Sequence, residues 1–214
     1  MNTPQQERGR GRFFVLDGID GCGKSTQARR LLEALSQSAE AAGRMVPLHL
    51  REPGSTALGE RLRELLLDGE AEIGPPSEVL LFASARRQLL TELVAPALAE
   101  GRDVVCERFH PATLSYQAHA GSLDFDEVLA LLTTWAGDPT PDLCVVIEVD
   151  PDRAASRRGG DDDRIEARGL EYQRSVAEGF RRCVDEISWV VSVDGEGSVD
   201  EVAARVMQEV ERGA

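Results

Sequence analysis

Residues Gly18-Ile19-Asp20-Gly21-Cys22-Gly23-Lys24-Ser25 place glycines at the first and sixth positions of an octet that ends in Lys-Ser. Glycines at that spacing let successive backbone N–H groups turn onto an anion. The lysine adds a compact ammonium able to bridge two phosphates, and the serine adds a hydroxyl for Mg²⁺. Lys24 is the only lysine among 24 basic residues. Arginine carries the same charge elsewhere in the chain, but its planar fork does not replace an ammonium inside a tight loop. A lysine kept at this one position marks a site whose chemistry requires it. Phe13-Phe14-Val15-Leu16 leads into the octet as an apolar run, and Leu31, Leu32 and Leu35 follow at helical spacing. Strand, glycine loop and helix in that order converge loop amides and the positive helix end on one point.

Five further segments carry residues capable of chemistry. Arg51-Glu52-Pro53-Gly54-Ser55-Thr56 follows a second apolar run, although a proline among polar residues also suits an ordinary turn. In Glu78-Val79-Leu80-Leu81-Phe82-Ala83-Ser84-Ala85-Arg86, Phe82 and Arg86 are four apart on one helical face. That pair alone equally suits a core aromatic beside a solvated arginine. Val104-Val105-Cys106-Glu107-Arg108-Phe109 has the pattern of a buried strand ending in a carboxylate and an arginine. Glu107 is placed like the carboxylate that orients Mg²⁺ in phosphate-loop enzymes, and Arg108 is placed to grip a phosphate with two hydrogen bonds. Pro111-Ala112-Thr113-Leu114-Ser115-Tyr116-Gln117 comes next. Last, Asp163-Arg164-Ile165-Glu166 follows Arg153, Arg157, Arg158 and the pair Gly159-Gly160.

Together these segments resemble the thymidylate kinase family, within the nucleoside monophosphate kinases, from Phe13 to the last helix. The resemblance implies ATP bound by Gly18, Asp20, Gly21, Cys22, Gly23, Lys24, Ser25 and Thr26, with Mg²⁺ on Ser25 and Glu107. It implies dTMP held by Arg51 and Arg108 at the phosphate, by Phe82 and Arg86 at the base, by Thr113 at the base edge, by Tyr116 under the sugar, and by Gln117. Asp20 would meet the acceptor sugar or phosphate region. Some members carry a catalytic arginine in the phosphate loop and others in a lid. Gly21 occupies the loop position here, so the lid, about 153–168, must supply the cation through Arg157 or Arg158. The catalytic set is thus Lys24, Arg108, Asp20 and the two lid arginines. Four departures from the family pattern stand out: Ser55 for a glycine, Glu107 for an aspartate, Ala112 for a serine and Ala118 for a glycine. The activity implied is phosphorylation of dTMP to dTDP by ATP. A kinase for another deoxynucleoside monophosphate is the near alternative, and a regulatory NTPase that hydrolyses nucleotide is the distant one.

Positioning these residues requires apolar strands alternating with helices. Strand patterns run over Phe13–Leu16, Met45–Leu50, Val104–Cys106, Leu143–Val149 and Trp189–Val193. Helical patterns run over 25–42, 56–69, 75–99, 111–136, 151–158 with 168–187, and 198–212. The alternation predicts an α/β fold, a five-stranded parallel sheet covered by helices on both faces in three layers, with ligands beyond the carboxyl ends of the strands. This matches the P-loop kinase fold that the resemblance implies. At 214 residues the chain suits one domain, 1–214, with a polar tail over 1–11.

A net charge of −14 argues against nucleic acid or an anionic membrane as partner. Positive contacts for a phosphate substrate must then be concentrated locally. Cys22, Cys106, Cys144 and Cys183 show no C-x-x-C pair and read as free thiols of a reducing cytoplasm. No stretch has the length of a membrane span. The family resemblance also implies a homodimer.

Overall fold

The computed structural model describes residues 9–157, Ile165 and residues 168–213. Its centre is β1 (Phe13–Asp17), buried at every position. Such a strand needs apolar neighbours on both faces, which explains an unbroken hydrophobic run instead of an alternating one. β1 pairs in parallel with β3 (Val104–Glu107) on one side and with β4 (Leu143–Glu148) on the other. β2 (Leu48–Arg51) adds beyond β3 and β5 (Val190–Asp194) beyond β4, for the all-parallel order β2-β3-β1-β4-β5. The chain thus moves to one side of β1 and later to the other. That reversal opens a crevice beyond the carboxyl end of β1. The register places Leu16 and Arg51 each opposite Glu107, so the chemistry-bearing strand ends lie in one row.

Helix α1 (Lys24–Ala41) leaves the phosphate loop and buries Gln27, Ala28, Leu31, Leu35 and Ala39, a stripe of period 3.6. It packs against α9 (Val199–Arg212), which opens on a reciprocal capping box between Ser198 and Glu201. α2 (Ala57–Leu67) and α3 (Pro75–Leu89) pack together on the β2 side. α7 (Pro151–Arg157) and α8 (Leu170–Glu186) follow β4.

Three expected elements differ from the structure. The second strand begins at Leu48 rather than Met45, because Pro47 has no N–H for the ladder, and Met45 and Val46 are solvent-exposed. The 75–99 pattern stays helical but passes through a π-turn at Leu90–Val94 before α4 (Ala95–Ala99). The 111–136 pattern is interrupted. α5 (His110–Thr113) runs into a π-turn, Leu114–His119, and α6 starts afresh at Phe125–Ala136. Ser122 adopts a positive φ of 62°, and the Asp124 side chain caps the new helix by accepting from Glu127 N at 2.9 Å. Residues 1–8 of the expected tail lie outside the described residues. Arg10 pairs with Asp142, and Gly11 donates to Leu98 O at 2.9 Å.

Candidate active site

The phosphate loop closes between β1 and α1. Gly23 caps α1 at φ +96° with no side-chain bond to the first turn, so the positive end of the helix keeps no side-chain cap of its own. At Gly21, φ is +83° and an ideal Cβ would lie 2.2 Å from Ala154 O. The loop has no room there for any side chain, let alone an arginine. Gly18 is similarly pressed against Ile147 O, 2.8 Å from its ideal Cβ. Cys22 is buried beneath the loop, and the Thr26 amide donates to Gly23 O at 3.0 Å.

Beyond the carboxyl ends of β1, β2 and β3 lies a cavity of about 430 Å³. Asp20, Gly21, Lys24, Ser25, Arg51, Phe82, Arg86, Glu107, Arg108, Thr113, Tyr116 and Gln117 all line it. Residues spread over almost a hundred positions of sequence thus share one wall. Gly18, Cys22, Gly23 and Thr26 shape the loop behind it. Arg157 does not line the cavity; its Nη2 lies 3.9 Å from Glu196 Oε2. Arg158 lies outside the described residues, as do Gly159, Gly160 and Asp163, Arg164 and Glu166.

Asp20 is the hub of the cationic end. Its carboxylate accepts from Lys24 Nζ at 3.2 Å, from Arg108 Nη2, and from Tyr116 Oη at 2.7 Å. Burial would push this carboxyl up, but Arg108, Lys24 and the tyrosine hydroxyl outweigh it and hold it well below the usual carboxylate range. Arg108 itself sits at φ +70°, unusual for a residue with a side chain. Its guanidinium lies 5.3 Å from the Tyr116 ring centroid. At the other wall, Arg86 is fully buried on α3. Its Nε donates to Glu52 Oε2 at 2.6 Å, and its Nη2 donates to Phe109 O at 3.0 Å and Thr113 Oγ1 at 3.1 Å. Arg86 Nη1 and Glu52 Oε1 are buried with no hydrogen-bond partner among the described residues. Burial pushes the Glu52 carboxyl up to about 7 against the opposing charge of Arg86.

Ser25 Oγ donates to Glu107 Oε2, and His49 Nε2 lies 3.0 Å from Glu107 Oε1. The longer glutamate arm thus reaches the loop serine. A hydroxyl and a carboxylate are hard oxygen donors of the kind Mg²⁺ takes when phosphates fill its other positions. Among the described residues no group of three or more His, Cys, Asp or Glu could hold a metal without such help. Arg51 pairs with Glu60 at 3.2 Å. Ser55 occupies φ +64°, where the family pattern has glycine, and its hydroxyl donates to Arg51 O at 3.2 Å.

Three residues given no role from sequence prove structural to the site. Asp17, at the buried end of β1, accepts from Phe109 N and Ala112 N, both at 3.1 Å, and so fixes the chain that follows β3. Its signal is a carboxylate closing an apolar strand. Glu52 holds Arg86, and Glu78 accepts from Gln117 Nε2 at 3.0 Å. Glu78, Phe82 and Arg86 at successive four-residue steps share a helical face, which was a readable signal.

A family model described as thymidylate kinase matches residues 16–206. A thymidylate kinase of Caldanaerobacter subterraneus subsp. tengcongensis is 38% identical over 204 residues, 94% of this chain and 96% of the relative. One from Prochlorococcus marinus (strain MIT 9313) is 42% identical over 188 residues, 84% and 85% of the two chains. One from Chlorobium luteolum is 35% identical over 208 residues, 92% and 95%. Similarity that runs through both walls of the cavity, over nearly the full length of each chain compared, shows that this chain belongs to the thymidylate kinase family.

Proposed function

We propose that this protein transfers the γ-phosphoryl group of ATP to dTMP, giving dTDP and ADP. One observation carries the reading: Lys24 of the phosphate loop and Arg108 after β3 both bond the same Asp20 carboxylate. A donor phosphate on the loop and an acceptor phosphate on Arg108 would therefore meet within the cavity. Phosphoryl transfer asks little covalent help, so positioning and charge neutralisation supply the rate. Lys24 turns from Ile19 O and Asp20 to the β- and γ-phosphates. Arg51 and Arg108 hold the acceptor phosphate in line. Phe82 stacks on the base, Arg86 and Thr113 meet its edge with Gln117, and Tyr116 supports the sugar.

Mg²⁺, held by Ser25 with Glu107 behind it, would neutralise charge on the transferring phosphates. The absence of space for a side chain at Gly21 supports a lid source for the remaining cation, from Arg157 or its neighbour Arg158. Arg157 would leave Glu196 to take that role. Leu80 and Trp135, 54% and 70% exposed on α3 and α6, support a homodimer. Among the described residues no helix is long and apolar enough to cross a membrane, and all four cysteines are free and buried, in keeping with a cytoplasmic enzyme.

The test is ADP release with ATP, Mg²⁺ and a panel of monophosphates, with Lys24→Ala as control. Turnover strongest with dTMP and lost in the variant is expected. ADP release that ignores the monophosphate would defeat the two-substrate reading.

A further inference from the structure

Gln117 sits on the π-turn Leu114–His119, 2% exposed, and lines the cavity. Its Nε2 donates to Glu78 Oε2 at 3.0 Å. Glu78 is buried on α3 and does not line the cavity. Its other oxygen, Oε1, accepts from Arg168 Nη2 at 3.0 Å, which supplies the counter-charge. A carboxylate offers only lone pairs, whereas a side-chain amide has a donor end and an acceptor end. The two amide ends are nearly alike in shape, so the neighbour's chemistry decides which way the amide faces. Glu78 takes the NH₂ end, leaving Gln117 Oε1 with no protein partner among the described residues. Arg86 is donor-only and lines the same cavity, and its Nη1 is buried with no hydrogen-bond partner among the described residues. The wall therefore offers one fixed donor and one fixed acceptor.

We propose that Glu78 is a specificity-determining positioning residue: by holding the Gln117 amide in one orientation, it makes the pocket select pyrimidines that present a carbonyl beside an N–H. A base edge with an amino group beside an unprotonated ring nitrogen meets donor with donor and acceptor with acceptor. The proposal rests on the reading of Gln117 as part of the acceptor pocket. A glutamine at position 78 could accept or donate, so Gln117 would be free to present either end to the base.

The experiment compares kcat/KM for dTMP, dUMP and dCMP at saturating MgATP in the wild type, Glu78→Gln and Gln117→Leu. In Glu78→Gln the dTMP-to-dCMP ratio should fall about tenfold, the scale of one mispaired hydrogen bond, through KM for dTMP. KM for ATP should hold, and dUMP should follow dTMP, which separates the base edge from the methyl group. A ratio that falls in Gln117→Leu but not in Glu78→Gln overturns the role of Glu78. A ratio unchanged in Gln117→Leu removes Gln117 from the pocket, and the proposal falls with it. Should Glu78→Gln fail to fold, the Gln117 side-chain NH₂ signals of the wild type carry the test. Slow hydrogen exchange supports a pinned amide, and exchange at the solvent rate refutes it.

Discussion

Replacing Arg86 with methionine removes the charge beside Glu52 while keeping much of the side-chain volume. The pair is buried, with side-chain exposures of 1% and 3% and a 2.6 Å hydrogen bond. Part of the cost is independent of pH: Phe109 O and Thr113 Oγ1 lose their donor, at about 1–3 kcal/mol for each group left unsatisfied. The rest depends on protonation of Glu52. Its folded-state carboxyl, pushed to about 7, lies above the ordinary glutamate value of 4.5, so between those values the native state binds more protons than the unfolded chain. Stability then falls as pH rises, by about 1.4 kcal/mol per unit, and in the wild type the fall ends near pH 7. Without Arg86 the carboxyl rises further and the fall continues past 7. The stability gap between wild type and Arg86→Met should therefore be flat from pH 5 to 7 and widen by about 2 kcal/mol from 7 to 8.5. Urea unfolding at a series of pH values, with Glu52→Gln and the double variant alongside, measures this. The double variant should lose the extra slope above pH 7. A gap that stays constant through pH 8.5, or a double variant as steep as Arg86→Met, would refute the reasoning.

Arg108→Ala should raise KM for dTMP at least tenfold more than KM for ATP, read in steady-state kinetics. Equal losses would contradict its place on the acceptor side. Gly21→Ala should destabilise by at least about 1–2 kcal/mol from the left-handed backbone alone, with overlap against Ala154 O added. A melting midpoint equal to wild type would show that the loop and α7 are not in contact. His110 is pushed down to about 3 by burial and by Arg86, and its Nε2 lies 2.9 Å from Ala136 O, where the neutral ring can donate. Its folded value lies below the unfolded 6.5, so its contribution is complete above 6.5 and is lost as pH falls toward 3. The stability gap between wild type and His110→Gln should shrink by about 2 kcal/mol between pH 6.5 and 5, followed by denaturant unfolding.

Local order around the loop was legible because it is written in consecutive residues. The octet from Gly18 to Ser25, the apolar β1 before it and the leucine stripe after it are short-range patterns whose geometry follows from glycine torsions and helix period. The parallel sheet was legible for a similar reason, since strands buried on both faces must read as continuous apolar runs. The edges were not. Pro47 trimmed β2, and the pattern over 111–136 concealed a π-turn and a new helix start, because helical periodicity survives an inserted residue while the hydrogen-bond pattern does not.

The side-chain types at the site, one ammonium, several guanidinia and a few carboxylates, were set by the sequence alone. Their pairing was decided by the fold. Asp20 meets Arg108 across 88 positions, Arg86 meets Glu52 across 34, and Gln117 meets Glu78 across 39. No periodicity encodes such partners; they arise where β1, β3, α3 and the π-turn converge. Burial there turns each charge into an obligation to find an opposite.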